Sequence, residues 1–189
     1  DKTGTITDNT MTVKKLLPLR KAVGTDGEKN EDETQGEEEA FSQEEQNEVE
    51  LAVGDFAAAM ATDNITMKAI KEYFRKRSGK RPDQIFPFTS ENKYSGASFD
   101  EGQYVLGAPE FILRSQYQEY APGIESWSRQ GYRVLVFARY KGILDGKPLT
   151  EPVEPMGMIL LANPVRDNAK ETFHYFAQQG VEIKVISCL

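Results

Sequence analysis

At 189 residues, 39% hydrophobic and 28% charged, the chain is long enough for one or two domains with a real core and a polar surface. Its net charge of −7 and pI of about 4.9 argue against nucleic acid as a partner. One cysteine, Cys188, excludes an internal disulfide, a single histidine, His174, excludes a histidine-rich metal centre, and no apolar run approaches the ~20 residues of a membrane span.

Met11 to Leu19 reads as a strand. From Gly24 to Glu50 the sequence turns acidic and apolar residues become sparse. Residues 24–36 have no periodicity and are expected to form a mobile, solvated loop, without the alternating ligands of a calcium loop. Val49, Ala52, Val53, Phe56, Ala57 and Met60 fall at helical spacing, behind an acidic helix start. A second helix is expected with Ile65, Ala69, Ile70, Tyr73 and Phe74 inward, ended by Gly79 and Pro82. Three short strands follow, Gln84 to Phe88, Lys93 to Phe99 and Gln103 to Leu106. Helices are expected over Ala108 to Arg114 and Tyr117 to Gln130, then a strand from Tyr132 to Tyr140. Asp145-Gly146 signals a tight hairpin into a strand from Glu154 to Ala162. Asp167 to Gln179 reads as a helix closed by Gly180, with His174 a surface or boundary residue, and Val181 to Ile186 as a last strand. The middle is therefore mixed helix and antiparallel strand, and the two ends have the character of a parallel α/β sheet.

The most informative residues are Asp1-Lys2-Thr3-Gly4-Thr5-Ile6-Thr7. A carboxylate held in line can attack a γ-phosphoryl group and split one hard transfer into two easier ones, and small residues behind it let backbone N–H groups crowd a phosphate. The string resembles the phosphorylation motif of P-type ATPases, without gap or substitution. That resemblance implies Asp1, Lys2 and Thr3 as catalytic residues, with Asp1 and Thr3 at Mg²⁺ in the intact pump. The nucleophile is residue 1 and no membrane helix is visible, so the chain is expected to be a piece of a larger protein, cut at the motif.

Further segments carry the same resemblance in the same order. Phe86 to Gly96 is similar to the family segment that holds adenine; it implies Phe88 stacked on the purine and Lys93 near the base edge or the phosphates. Leu106-Gly107-Ala108-Pro109-Glu110 resembles the family's KGAPE, with Leu106 where a lysine is usual. Here Gly107 and Ala108 would let the backbone approach the nucleotide, at a helix start able to favour an anion. Gly131 to Leu135 matches GxRVL and implies that Arg133 reaches the phosphates, and Asp63 falls where the family accepts from the adenine amino group. A helix-capping aspartate would look the same. Asn163-Pro164-Val165-Arg166 resembles the DPxR hinge, with Asn163 for the usual aspartate and Arg166 able to bridge to ribose or phosphate. Val185-Ile186-Ser187 resembles the start of a (T/S)GD segment, and the chain then reads Cys188-Leu189.

The resemblance implies an α+β fold: an antiparallel sheet flanked by helices, as in the nucleotide-binding domain of these pumps. Remnants of a haloacid-dehalogenase-like α/β phosphorylation domain would lie at both ends. The expected division is 1–12 (phosphorylation-domain remnant), 13–162 (nucleotide-binding domain) and 163–189 (hinge and second remnant). The implied ligand is ATP, with Mg²⁺ in the intact pump. The implied partners are the other phosphorylation, actuator and membrane domains, and the setting is the cytoplasmic side of a bacterial plasma membrane. The family's later GDGxND carboxylates and lysine do not occur here, so nucleotide binding without turnover is expected, by a monomer. Two alternatives stay open. A soluble haloacid-dehalogenase-like phosphatase would also use Asp1, but it usually carries a second aspartate where Thr3 stands. A non-enzymatic acidic interaction module would centre on Asp26 to Glu50.

Overall fold

The structure, a computed structural model, describes residues 10–22, 40–164 and 169–181. Asp1, Lys2, Thr3, Arg166, the acidic loop 24–36 and all of the last expected strand except Val181 lie outside the described residues. Six strands form one antiparallel sheet: β1 (Thr12–Leu17), β2 (Gln84–Phe86), β3 (Tyr94–Phe99), β4 (Gly102–Gly107), β5 (Arg133–Tyr140) and β6 (Val153–Ala162). The order is β1-β6-β5-β4-β3-β2, so the first strand joins the sheet beside the last. With the helices that cover it, this is the expected α+β architecture.

Alternation along the strands sends successive side chains to opposite faces, and each face is buried by helices. On one face Val13, Leu106, Phe137, Ile159 and Leu161 pack against α1 (Gln43–Ala59) and α2 (Ile65–Tyr73), with Phe56 edge-on to Phe137 at 5.5 Å. On the other face Val105, Val134, Val136, Met158 and Leu160 meet α3 (Pro109–Leu113) and α4 (Tyr117–Arg129). Helix α1 begins where its chemistry dictates. Ser42 Oγ accepts from Glu45 N–H at 3.2 Å, and Glu45 Oε2 accepts from Ser42 N–H at 2.9 Å, a reciprocal cap. In mid-helix, Gly54 lies against the backbone of Lys76; a Cβ there would sit 1.9 Å from the Lys76 carbonyl oxygen. The next residue, Asp55, is buried and accepts from Ser78 N–H, Gly79 N–H and Ser78 Oγ, fastening the segment after α2 to α1.

Three expectations need correction. Helix α2 stops at Tyr73 with Phe74 capping, well before Gly79 and Pro82, because Asp55 takes up the backbone groups of Ser78 and Gly79 outside any helix. Within α2, Ala69, Ile70 and Phe74 are buried as expected; Ile65 and Tyr73 are exposed, and Met67 fills the inward position. Asp145-Gly146 does make a turn, with Gly146 at φ +78° and Asp145 Oδ1 accepting from Lys147 N–H at 3.0 Å. That turn does not join β5 to β6 directly. It sits inside a longer excursion over residues 141–152, held down by buried Leu144 and Leu149 and by Arg114 donating to the carbonyls of Leu149 and Thr150.

Helix α5 (Ala169–Gln178) ends at Gly180, whose φ is +74°; His174 is exposed on it and meets Gln178 Nε2 at 2.9 Å. At the sheet's edge Asn163 Nδ2 donates to the Thr10 carbonyl at 2.6 Å. An aspartate could not make that bond, since a carboxylate only accepts.

Candidate functional site: a cleft at one end of the sheet

Antiparallel pairing places the start of β3, the end of β4 and the start of β5 at the same end of the sheet, with Tyr94 opposite Gly107 and Gly107 opposite Val136. Segments far apart in sequence thus open into one cleft of about 540 Å³. Its apolar walls include Ile65, Met67 and Ile70 of α2, Leu106 of β4, Ile124 of α4 and Leu135 of β5. Such walls suit a flat, weakly hydrated group better than a hydrated ion.

Five residues singled out from the sequence line the cleft: Phe88, Lys93, Gly107, Ala108 and Arg133. Phe88 lies in the β2–β3 connection and is 47% exposed, which leaves its ring available rather than spent in the core. Lys93 and Arg133 are two cations in the lining against one carboxylate, Glu110, so the cleft is locally cationic in an acidic chain. Neither enters an ion pair among the described residues; Arg133 Nη1 donates to Thr66 Oγ1 at 3.4 Å. Leu106 is 4% exposed and forms part of the apolar wall.

Gly107 has a packing reason to be glycine beside the expected one. A Cβ there would lie 2.4 Å from the Lys93 carbonyl oxygen and 2.7 Å from Tyr94 Cβ, so the missing side chain makes room for β3 itself. The same pinch fixes Lys93, whose carbonyl accepts from Ala108 N–H at 3.1 Å. The expected anion-favouring helix start is also reduced. Helix α3 has five residues, and the N–H groups of Phe111 and Ile112 already donate to the Ala108 carbonyl.

Asp63 does not line the cleft, and it is not the α2 cap either. Asn64 caps that helix, its Oδ1 accepting from Met67 N–H at 2.8 Å while its Nδ2 donates to Asp63 Oδ1 at 2.8 Å. Asp63 is therefore an exposed rim residue beside Asn64, which does line the cleft. Sequence reasoning missed Asn64, Thr66, Ser95 and Ser128. Ser95 is 6% exposed and lines the cleft on the Leu106 face, and its hydroxyl has no hydrogen-bond partner among the described residues. The signal for Asn64 was available, an amide just before an apolar helical run. A serine in a strand carries no such signal.

The fold is that of a P-type ATPase domain. The crystal structure of a zinc-transporting PIB-type ATPase superposes with a TM-score of 0.57 over 96% of this chain and 24% of that one, at 16% identity. No protein-family model matches the chain. The relatives are more specific. The calcium-transporting ATPase CtpE of Mycobacterium tuberculosis and of Mycobacterium bovis is 34% identical over 188 residues, 99% of this chain and 21% of the relative. The probable cation-transporting ATPase exp7 of Streptococcus pneumoniae is 30% identical over 190 residues, 99% of this chain and 21% of the relative. Over nearly its whole length the chain is similar to a stretch of P-type cation-transporting ATPases, and it spans about a fifth of the length of the curated relatives it matches. No helix among the described residues is long and apolar enough to cross a membrane.

Proposed function

We propose that residues 13–162 are the nucleotide-binding domain of a bacterial cation pump, and that the cleft holds ATP. One observation carries the reading: three segments that resemble the family's nucleotide-binding motifs line one cleft with apolar walls and two cations outside any ion pair among the described residues. The base would enter between the apolar walls with Phe88 against its face, and Lys93 and Arg133 would draw the anionic tail. In the intact pump the domain would deliver the γ-phosphoryl group to Asp1 on the cytoplasmic side of the plasma membrane. Residues 1–12 and 163–189 would belong to the phosphorylation domain, with Arg166 bridging towards ribose or phosphate. Asp63 keeps its proposed place near the adenine amino group only as a rim contact.

Mg²⁺, when bound, neutralises charge that builds on a transferring phosphoryl group. Among the described residues no group of three His, Cys, Asp or Glu could hold it. By the family resemblance the proposed holders are Asp1 and Thr3, with further residues of the pump, and nucleotide is expected to bind this chain without a strict need for the metal. Lys2 would act beside Asp1 in the transfer.

Titration of the chain with ATP or ADP, followed by amide NMR shifts, tests the reading. Shifts are expected around Phe88, Lys93, Gly107 and Arg133, and Phe88→Ala should weaken binding by about 1–3 kcal/mol, the usual scale for a base on an aromatic ring. Shifts clustered elsewhere, or an unchanged affinity in a folded Phe88→Ala variant, would reject the cleft.

A further inference from the structure

We propose that Asn92 is a positioning residue for the cationic end of the cleft: it ties the Thr89–Lys93 turn to the β5–β6 excursion and so sets where the Lys93 ammonium stands. The inference rests on the nucleotide reading above and adds a residue and a segment that the cleft itself does not contain.

Asn92 is 8% exposed in a turn whose other members, Thr89, Ser90 and Glu91, are exposed. Its N–H donates to Thr89 Oγ1 at 3.1 Å, and its Nδ2 donates to the Gly146 carbonyl at 2.7 Å. Its Oδ1 is buried with no partner among the described residues. An orphaned buried acceptor costs stability, so a residue with shape alone to contribute would be better replaced by an apolar one. The bond from Nδ2 is what the amide provides. Its acceptor is well anchored. Gly146 sits at φ +78°, the next carbonyl, of Lys147, accepts from Tyr94 Oη at 2.6 Å, and Leu144 and Leu149 hold the excursion in the core.

The neighbour of Asn92 is the strained one. Lys93 has φ +55°, a region that residues with a Cβ seldom adopt. Its N–H donates to the Thr89 carbonyl at 2.9 Å and its carbonyl accepts from Ala108 N–H. Those two bonds hold Lys93 to the turn and to β4, while the Asn92 side chain anchors the turn to the excursion behind it. A lysine carries its charge on four flexible methylenes, so the backbone beneath it decides which volume the ammonium samples. Released from Gly146, the turn would let Lys93 relax towards negative φ and swing its side chain off the cleft. The strain then has a function, kept where a charge must be aimed.

The experiment compares the full chain with Asn92→Ala, Asn92→Asp, Lys93→Ala and the Asn92→Ala/Lys93→Ala double variant, measuring ATP and adenosine affinity by calorimetry. Asn92→Ala should weaken ATP by about 3- to 10-fold, the scale of one lost hydrogen bond, and adenosine by less than about 2-fold. In the Asn92→Ala background, Lys93→Ala should cost almost nothing further. Independent, additive losses, or equal weakening of ATP and adenosine, would overturn the proposal. Asn92→Asp keeps the shape and turns the donor into an acceptor facing Gly146, so it serves if the alanine variant fails to fold. Without nucleotide, the Lys93 amide should exchange at least about 10-fold faster in that variant, the scale of one lost hydrogen bond, and unchanged exchange overturns the brace. If ATP leaves the wild-type cleft unshifted, the nucleotide reading fails, and with it the role of Asn92 in aiming charge, whatever the amide does.

Discussion

Gly107→Ala separates two explanations of the same glycine. If glycine is there to admit a ligand, alanine should weaken binding and leave stability alone. The structure supplies a packing reason, which predicts a loss of stability. The new Cβ would lie 2.4 Å from the Lys93 carbonyl oxygen, about 0.6 Å inside the 3.0 Å floor of real contacts, and 2.8 Å from Tyr94 Cα. Both are backbone atoms, so no rotamer relieves them. The start of β3 must move, straining the Tyr94–Gly107 pair and the 3.1 Å bond from Ala108 N–H to the Lys93 carbonyl. Overpacking costs about 1–3 kcal/mol and a lost backbone bond about 1 kcal/mol, so about 2–4 kcal/mol is expected. For a domain of this size that lowers Tm by about 5–15 °C. Urea unfolding read on Trp127, the sole tryptophan, should show a lower midpoint with the same slope. Gly123→Ala is the control. A Cβ there meets nothing within 4 Å in the middle of α4, and about 0.5–1 kcal/mol of stabilisation is expected. A Gly107→Ala midpoint within about 0.5 kcal/mol of wild type, with nucleotide affinity lost, would refute the packing argument.

Other outcomes follow from the same contacts. Asp55→Ala should cost about 2–4 kcal/mol, because it strands Ser78 and Gly79 N–H groups and frees the segment after α2; protease cleavage between Phe74 and Asp83 should rise, and resistance there would count against the latch. Ser95→Ala should leave the melting temperature unchanged or higher while weakening ATP by a few-fold, since its hydroxyl has no partner to lose among the described residues; a lower melting temperature would contradict this. Glu50 is held below the usual carboxylate range chiefly by the Lys76 ammonium, then by Gln46. A lowered folded-state pKa gives stability that is present above the unfolded value and lost as pH falls through the folded one. Unfolding midpoints should therefore fall on acidification below about pH 4.5, and Glu50→Gln should flatten that fall; identical profiles would rule the pair out. In the intact pump Asp1→Asn should abolish phosphorylation and transport with nucleotide binding retained, as measured by hydroxylamine-sensitive labelling from γ-labelled ATP; persistent labelling would exclude Asp1.

The elements with periodic burial were legible. Val49, Val53, Phe56 and Ala57 announce α1, because one buried face imposes its own spacing, and the apolar, β-rich run over Tyr132 to Tyr140 announces β5, which is buried on both faces. Aromatic and cationic cleft residues were legible through a resemblance rather than through spacing. What could not be read depends on contacts across long sequence distances. Nothing near Gly79 tells that Asp55 will claim its N–H, and nothing near Asp145 tells that Leu144 and Leu149 will bury themselves before β6 begins. A glycine that makes room for a strand is spelled like one that makes room for a phosphate, as Gly107 shows. Asp63 and Asn64 illustrate the converse: two adjacent cap-competent residues, of which the helix uses one.

The bond from Asn163 to Thr10 closes a seam between residues 153 positions apart. Thr12 pairs with Ala162 in the antiparallel β1–β6 ladder, so the chain enters and leaves the sheet at one point. Force applied through those two ends would load the ladder like a zipper, one bond at a time, rather than shearing all of them together. Along that direction the ladder would yield rung by rung. Opening would begin at Asn163, at the seam and not at the cleft.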